Sequence, residues 1–186
     1  MKPIPSTPRL EELIGLFYQQ PARLGQFTEV SVPDMPAGYA ELLAHEHHMT
    51  VTVERYHNSP VDVQVLRKVK TPTHYARLIL LRRQSDQQVV QFGIVRLVLG
   101  LLSEPVRREI ESEQTPLGRV LIQHDVLRRV RLFDLWSVMP GEDMCGWFNL
   151  PRPVKTFGRT AIIDCDGEPA IELLEIVAPL PPESGG

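Results

Sequence analysis

Two charged residues stand among apolar neighbours at the spacing of a β-strand. Arg77 alternates with Tyr75, Ile79 and Leu81, and Glu175 alternates with Ile171, Leu173 and Val177. Successive strand residues point to opposite faces, so each charge shares a face with those apolar neighbours. Burying an unpaired charge is costly, so each requires a partner. One solution is a structural bridge, Arg77 with Glu175, or either with Arg159. The other is a cavity in which a ligand supplies the complement. A guanidinium matches a carboxylate as a planar fork. A carboxylate in apolar surroundings can accept a hydrogen bond from a ligand hydroxyl, or work as an acid or base with a raised pKa. Alternation alone leaves both solutions open.

Other chemistries find less support. The sequence has no GxxxxGK[ST], GxGxxG, GxSxG or HExxH, so phosphate cradling, dinucleotide binding and elbow-type serine hydrolysis have no basis in it. His45, His47 and His48 form a run with Glu46. On a helix adjacent side chains diverge by about 100°, and His45 and His48 share a face without a clear third ligand. No metal and no organic cofactor are therefore expected. Cys145 and Cys165 form no CxxC pair and read as reduced thiols of a reducing compartment. The formal charge of −3 offers no electrostatic footprint for nucleic acid or an anionic membrane. Arg96 interrupts the best apolar run, Ile94–Leu102, and the first residues contain no apolar signal region. These features predict a soluble cytoplasmic protein, with its oligomeric state left open.

The elements that would carry these residues follow from periodicity. Thr7-Pro8 reads as the cap and first residue of a helix through Leu10, Leu13, Ile14 and Phe17. A Pro-rich connection at Val30–Pro36 leads to a second helix over Ala37–His48. From Met49 the period becomes two, predicting a strand with Val51 and Val53 whose hairpin partner is Val61–Val65. Further strands are expected over Tyr75–Arg82 and Val89–Leu99. A helical insertion then starts at Ser103-Glu104-Pro105, and the chain breaks and restarts at Thr115–Arg119. Strand character returns at Val126–Val138, followed by a long Pro140–Pro153 loop. A last hairpin, Phe157–Cys165 and Pro169–Ala178, closes around Asp166-Gly167. The whole of 1–186 reads as one domain, with 1–40 an N-terminal helix and linker and 179–186 a disordered tail. The fold class is α+β, with about six strands in a largely antiparallel sheet.

Several landmarks, in order, resemble the chorismate pyruvate-lyase family. Thr115-Pro116-Leu117-Gly118-Arg119 is similar to that family's Thr-Pro-Leu-Gly-Arg turn. Phe157-Gly158-Arg159 through Gly167-Glu168-Pro169 matches its aromatic-Gly-Arg…Gly-x-Pro hairpin, and Met49-Thr50 looks like its Met-Thr. Arg77 and Glu175 fall where the family has an arginine and a C-terminal glutamate. The resemblance implies a six-stranded sheet whose helical insertions close over an internal pocket. It also implies cofactor-free elimination of pyruvate from chorismate or a related acid, giving 4-hydroxybenzoate for ubiquinone biosynthesis. By position, Arg77 would clamp the ring carboxylate and Glu175 would bond the oxygen across the ring, both in catalytic roles. Met49, Leu117, Gly118 and Arg159 would complete the binding site for a small aromatic or pre-aromatic acid. Two departures concern the reaction: Ile94 stands where the family has arginine, and Leu174 where it often has threonine. The same fold also serves as the effector-sensing domain of some bacterial transcription regulators, which makes a non-catalytic acid-binding module the alternative. Residues 1–40 are too short and too weakly basic for a DNA-binding domain. A hot-dog-like thioester enzyme would need a long central helix that the sequence lacks.

Overall fold

The computed structural model describes residues 7–181. Its frame is one antiparallel sheet of seven strands, β1 Gly25–Val30, β2 Val61–Lys70, β3 His74–Arg83, β4 Val89–Val98, β5 Arg128–Pro140, β6 Thr156–Cys165 and β7 Glu168–Val177. They lie in the order β1-β5-β6-β7-β4-β3-β2. Six helices complete it: α1 Leu10–Gly15, α2 Ala37–Leu43, α3 Met49–His57, α4 Glu104–Ser112, α5 Leu117–Gln123 and α6 Glu142–Trp147. The architecture is the expected α+β class, with seven strands rather than six.

Strands β3, β4, β6 and β7 are buried on both faces, which is why their sequences are almost continuously apolar. Even-numbered residues of β3, β4 and β7, such as Leu78, Phe92 and Leu174, pack with Leu10, Leu13 and Ile14 of α1. On that face Phe92 stacks on Trp147 with ring centroids 5.3 Å apart. Odd-numbered residues face helices α2 to α5: Ile79 and Leu81 meet Leu42, Leu43 and Met49. Val95 and Leu173 meet Ile110, Leu117 and Leu121. The β6–β7 hairpin turns on Asp166 and Gly167, with φ of 53° and 88°, the left-handed pair that a two-residue turn requires. At Gly158 a Cβ would lie 2.7 Å from the Glu175 carbonyl oxygen. The glycine of the Phe-Gly-Arg motif thus lets β6 and β7 approach closely.

Several expectations need correction. Met49–His57 is a helix, not a strand. Its buried residues Met49, Thr50 and Val53 fall on one helical face, and packing overrides the alternation of β-branched residues. Val61–Lys70 accordingly pairs with β3 instead. The helix expected over Ala37–His48 stops at Leu43, and α1 starts at Leu10 with Arg9 as its N-cap, leaving Thr7 exposed and outside it. The edge strand β1 went unforeseen, and the long 140–153 loop contains α6. Within the expected tail, the Leu180 N–H donates to the Tyr39 hydroxyl at 2.8 Å; residues 182–186 and 1–6 lie outside the described range.

Candidate functional site

Strand register builds the site. Residues paired across an antiparallel ladder point to the same face, so the inner face of the sheet centre consists of three rows. Arg77 pairs with Val95, and Val95 with Leu173. One step along lie Ile79, Gly93, Glu175 and Arg159, paired in that order. The next row holds Leu81, Gln91 and Val177. Over these rows the first turns of two helices supply Met49 and Thr50 from α3, and Leu117 and Gly118 from α5. A Cβ on Gly118 would sit 3.1 Å from Thr50 Oγ1 and 3.2 Å from His48 Cβ, so the glycine lets the two helix starts meet.

Between floor and roof is a partly open cavity with about 40 Å³ of room for the centre of a water molecule. Widened by a water radius of about 1.4 Å, a sphere of that room spans roughly 180 Å³, and a cavity of about 150 Å³ holds one benzene ring. All six residues singled out in the sequence, Met49, Arg77, Leu117, Gly118, Arg159 and Glu175, line this one cavity. Ile94 and Leu174 do not; both point into the α1 core on the opposite face. Arg96 shares that opposite face and therefore does not substitute for a cavity arginine.

The charges in the cavity are compensated unequally. Glu175 Oε2 accepts a hydrogen bond from Arg159 Nε at 2.8 Å. The rest of the Arg159 guanidinium is spent on the bend before α3, with Nη1 reaching the His45 carbonyl at 2.7 Å and Nη2 the His47 carbonyl at 3.0 Å. The structural bridge considered from the sequence is thus present between Glu175 and Arg159. Arg77 takes no part in it. Only 1% of Arg77 is exposed, its Nη1 donates to the Ile110 carbonyl at 3.2 Å, and its Nε has no hydrogen-bond partner among the described residues. No carboxylate oxygen lies within salt-bridge distance of it among those residues. Burial, the dominant influence, pulls its pKa below the ordinary arginine value. Tyr75 and Glu113 favour its charge, but Glu113 is itself engaged by Lys68 at 2.6 Å and by the Tyr75 hydroxyl at 3.0 Å.

His45 and His48 lie in the bend between α2 and α3, not on a helix, and arginines face both. Arg128 Nε donates to His48 Nε2 at 2.7 Å, and His45 Nδ1 lies 3.2 Å from Arg159 Nη1. Burial first, then these guanidinium charges, lower both ring pKa values to about 4. Cys165 is buried with its thiol pushed up to about 12, chiefly by desolvation, which suits packing rather than nucleophilic chemistry.

Gln91 was not foreseen. It is 2% exposed, lines the cavity, and extends Nε2 toward Glu175 Oε1 at 3.5 Å, while its Oε1 has no partner among the described residues. A glutamine in an apolar strand carries no motif. Its parity with Gly93 and Val95 is the one signal that places it with Arg77 and Glu175.

Among the described residues, no helix is long and apolar enough to cross a membrane. No family model matches the sequence, and no curated protein matches it. Solved structures do resemble the fold. PhnF from Mycobacterium smegmatis superposes with a TM-score of 0.54 at 9% identity, over 70% of this chain and 63% of PhnF. The chain thus matches less than two thirds of that protein's length. YydK from Bacillus subtilis, described as a possible transcriptional regulator, superposes with a TM-score of 0.52 at 12% identity, over 95% of this chain and 86% of YydK. At such low identity the likeness is one of fold: this chain shares the sheet-and-helix architecture of PhnF and YydK.

Proposed function

We propose that this chain is a binding module for a small carboxylic acid the size of a single ring, acting as a sensor rather than a lyase. The observation that carries the reading is Arg77, a fully buried guanidinium on the cavity face with no carboxylate of the described residues within salt-bridge distance. A ligand carboxylate would complete it as a bidentate pair in a low-dielectric site. Met49, Leu117 and Gly118 would cover the ring, and the Glu175–Arg159 pair would close the far end. The sensor reading is favoured over elimination because Arg159 Nε already occupies one carboxylate oxygen of Glu175. The fold likeness to YydK, a possible transcriptional regulator, agrees with this.

Two measurements on the purified protein test the reading. Calorimetric titration with benzoate should give saturable binding that Arg77→Met abolishes. Incubation with chorismate should release no pyruvate. Unchanged benzoate affinity in Arg77→Met would sink the acid site, and catalytic pyruvate release lost in Glu175→Gln would restore the lyase reading.

A further inference from the structure

The acid reading accounts for one end of the cavity and leaves the other unexplained. Along the strands, Gln91 lies two same-face positions from the Arg77 row, roughly 13 Å at about 3.3 Å per residue. By register Arg77 and Gln91 therefore stand in the two outer rows of the cavity floor, with Glu175 in the row between them. Near Gln91 one oxygen lacks a donor and a second has only a long bond. Gln91 Oε1 has no partner among the described residues. Glu175 Oε1 receives only the long 3.5 Å bond from Gln91 Nε2, because Arg159 Nε addresses the other carboxylate oxygen. Reversing the amide would bring its oxygen against the carboxylate, so the acceptor is left as the free end. A buried acceptor without a donor costs free energy, and Gln91 is 2% exposed.

A ligand group here can therefore satisfy the bare Gln91 oxygen and supply a shorter bond to Glu175 Oε1. A hydroxyl carries one proton, whereas a primary amino group carries two. Two N–H bonds about 120° apart, each about 2.9 Å to its acceptor, reach oxygens roughly 5 Å from one another. We propose that the cavity takes a small carboxylic acid bearing a primary amino group at the end opposite the carboxylate, and that Gln91 selects for that group. The proposal rests on the acid-site reading and adds the identity of the distal substituent.

The experiment compares benzoate, 4-hydroxybenzoate and 4-aminobenzoate by calorimetric titration of the wild-type protein and of Gln91→Met. The wild type should bind 4-aminobenzoate about tenfold more tightly than 4-hydroxybenzoate, as expected for one additional satisfied hydrogen bond. In Gln91→Met that ratio should fall to about one. Benzoate binding without an amino preference in the wild type overturns the selectivity and leaves the acid site standing. An amino preference that persists in Gln91→Met removes Gln91 from the role. Failure of all three acids to bind the wild type overturns the acid site and the selectivity together. The wild-type ratio stands as a test even where the variant does not fold.

Discussion

Arg77 on β3 and Arg96 on β4 are both withdrawn from water, with 1% and 3% exposure, yet the chain treats their charges in opposite ways. Arg96 points to the α1 face. Its Nε donates to Glu172 Oε2 at 2.8 Å and its Nη2 bonds the same oxygen, while Glu172 Oε1 accepts the Arg9 N–H at 3.1 Å. Arg77 points to the cavity face, where it has the Ile110 carbonyl and the nearby Tyr75 and Glu113 but no carboxylate in direct contact among the described residues. Desolvating an ion costs several kcal/mol, and only a close opposite charge with further hydrogen bonds offsets it. The α1 face supplies that offset from within the chain and uses it to dock a helix. The cavity face withholds it. A sheet centre that pairs its buried arginine closely on one side and not on the other is the contrast on which the proposed ligand site rests.

The largest effect that separates the two faces should come from Glu172→Ala. It strands a buried guanidinium and should cost about 3–5 kcal/mol in urea denaturation. A loss below 1 kcal/mol would erase the distinction between the two arginines. The next effect concerns the bend that Arg159 holds. His45 and His48 titrate near 4 in the folded chain and near 6.5 when unfolded. Both pKa values are lowered by folding, so the unfolded chain gains protons first as the pH falls below 6.5. Stability should therefore decline between pH 6.5 and about 4, by about 1–2 kcal/mol per ring at pH 5, and level off below that. His48→Asn should flatten the decline in a pH series of melts, and an unchanged slope would show that the ring is not held neutral. The smallest effect is the most diagnostic. Arg77→Met removes a charge that lacks a carboxylate and should leave stability unchanged or raise it by up to about 1 kcal/mol without ligand. A loss comparable to that of Glu172→Ala would mean Arg77 is structural after all.

Much of this could be read in the sequence, for reasons that differ by element. Strands β3, β4, β6 and β7 announced themselves because both faces are buried and turn residues punctuate them. Arg77 and Glu175 stood out because a charge in such a strand demands an account. The helix α3 was misread because Met-Thr-Val-Thr-Val alternates while its packing face repeats at four residues, and a short segment satisfies both periods. The edge strand β1 is mostly exposed or half-buried, so no apolar pattern marked it. Gln91 and the Ile110 carbonyl escaped notice for a different reason. Their roles depend on β4 lying beside β7 and on where the end of α4 meets β3, which are long-range pairings that no local spacing encodes.

The parity of β7 has a consequence for how this chain tolerates length changes. Glu172 and Glu175 are three residues apart, so one serves each face of the same strand. A single-residue insertion between Gly167 and Ile171 that kept the ladder would exchange them. Ile171 would then face Arg96, and Glu175 would be turned away from the cavity. No substitution could repair both at once. Insertions in the exposed 84–88 turn leave both faces in place. The last hairpin is therefore a segment in which lineages can vary residue identity but not residue count, and a tolerated one-residue insertion there would have to be absorbed as a bulge.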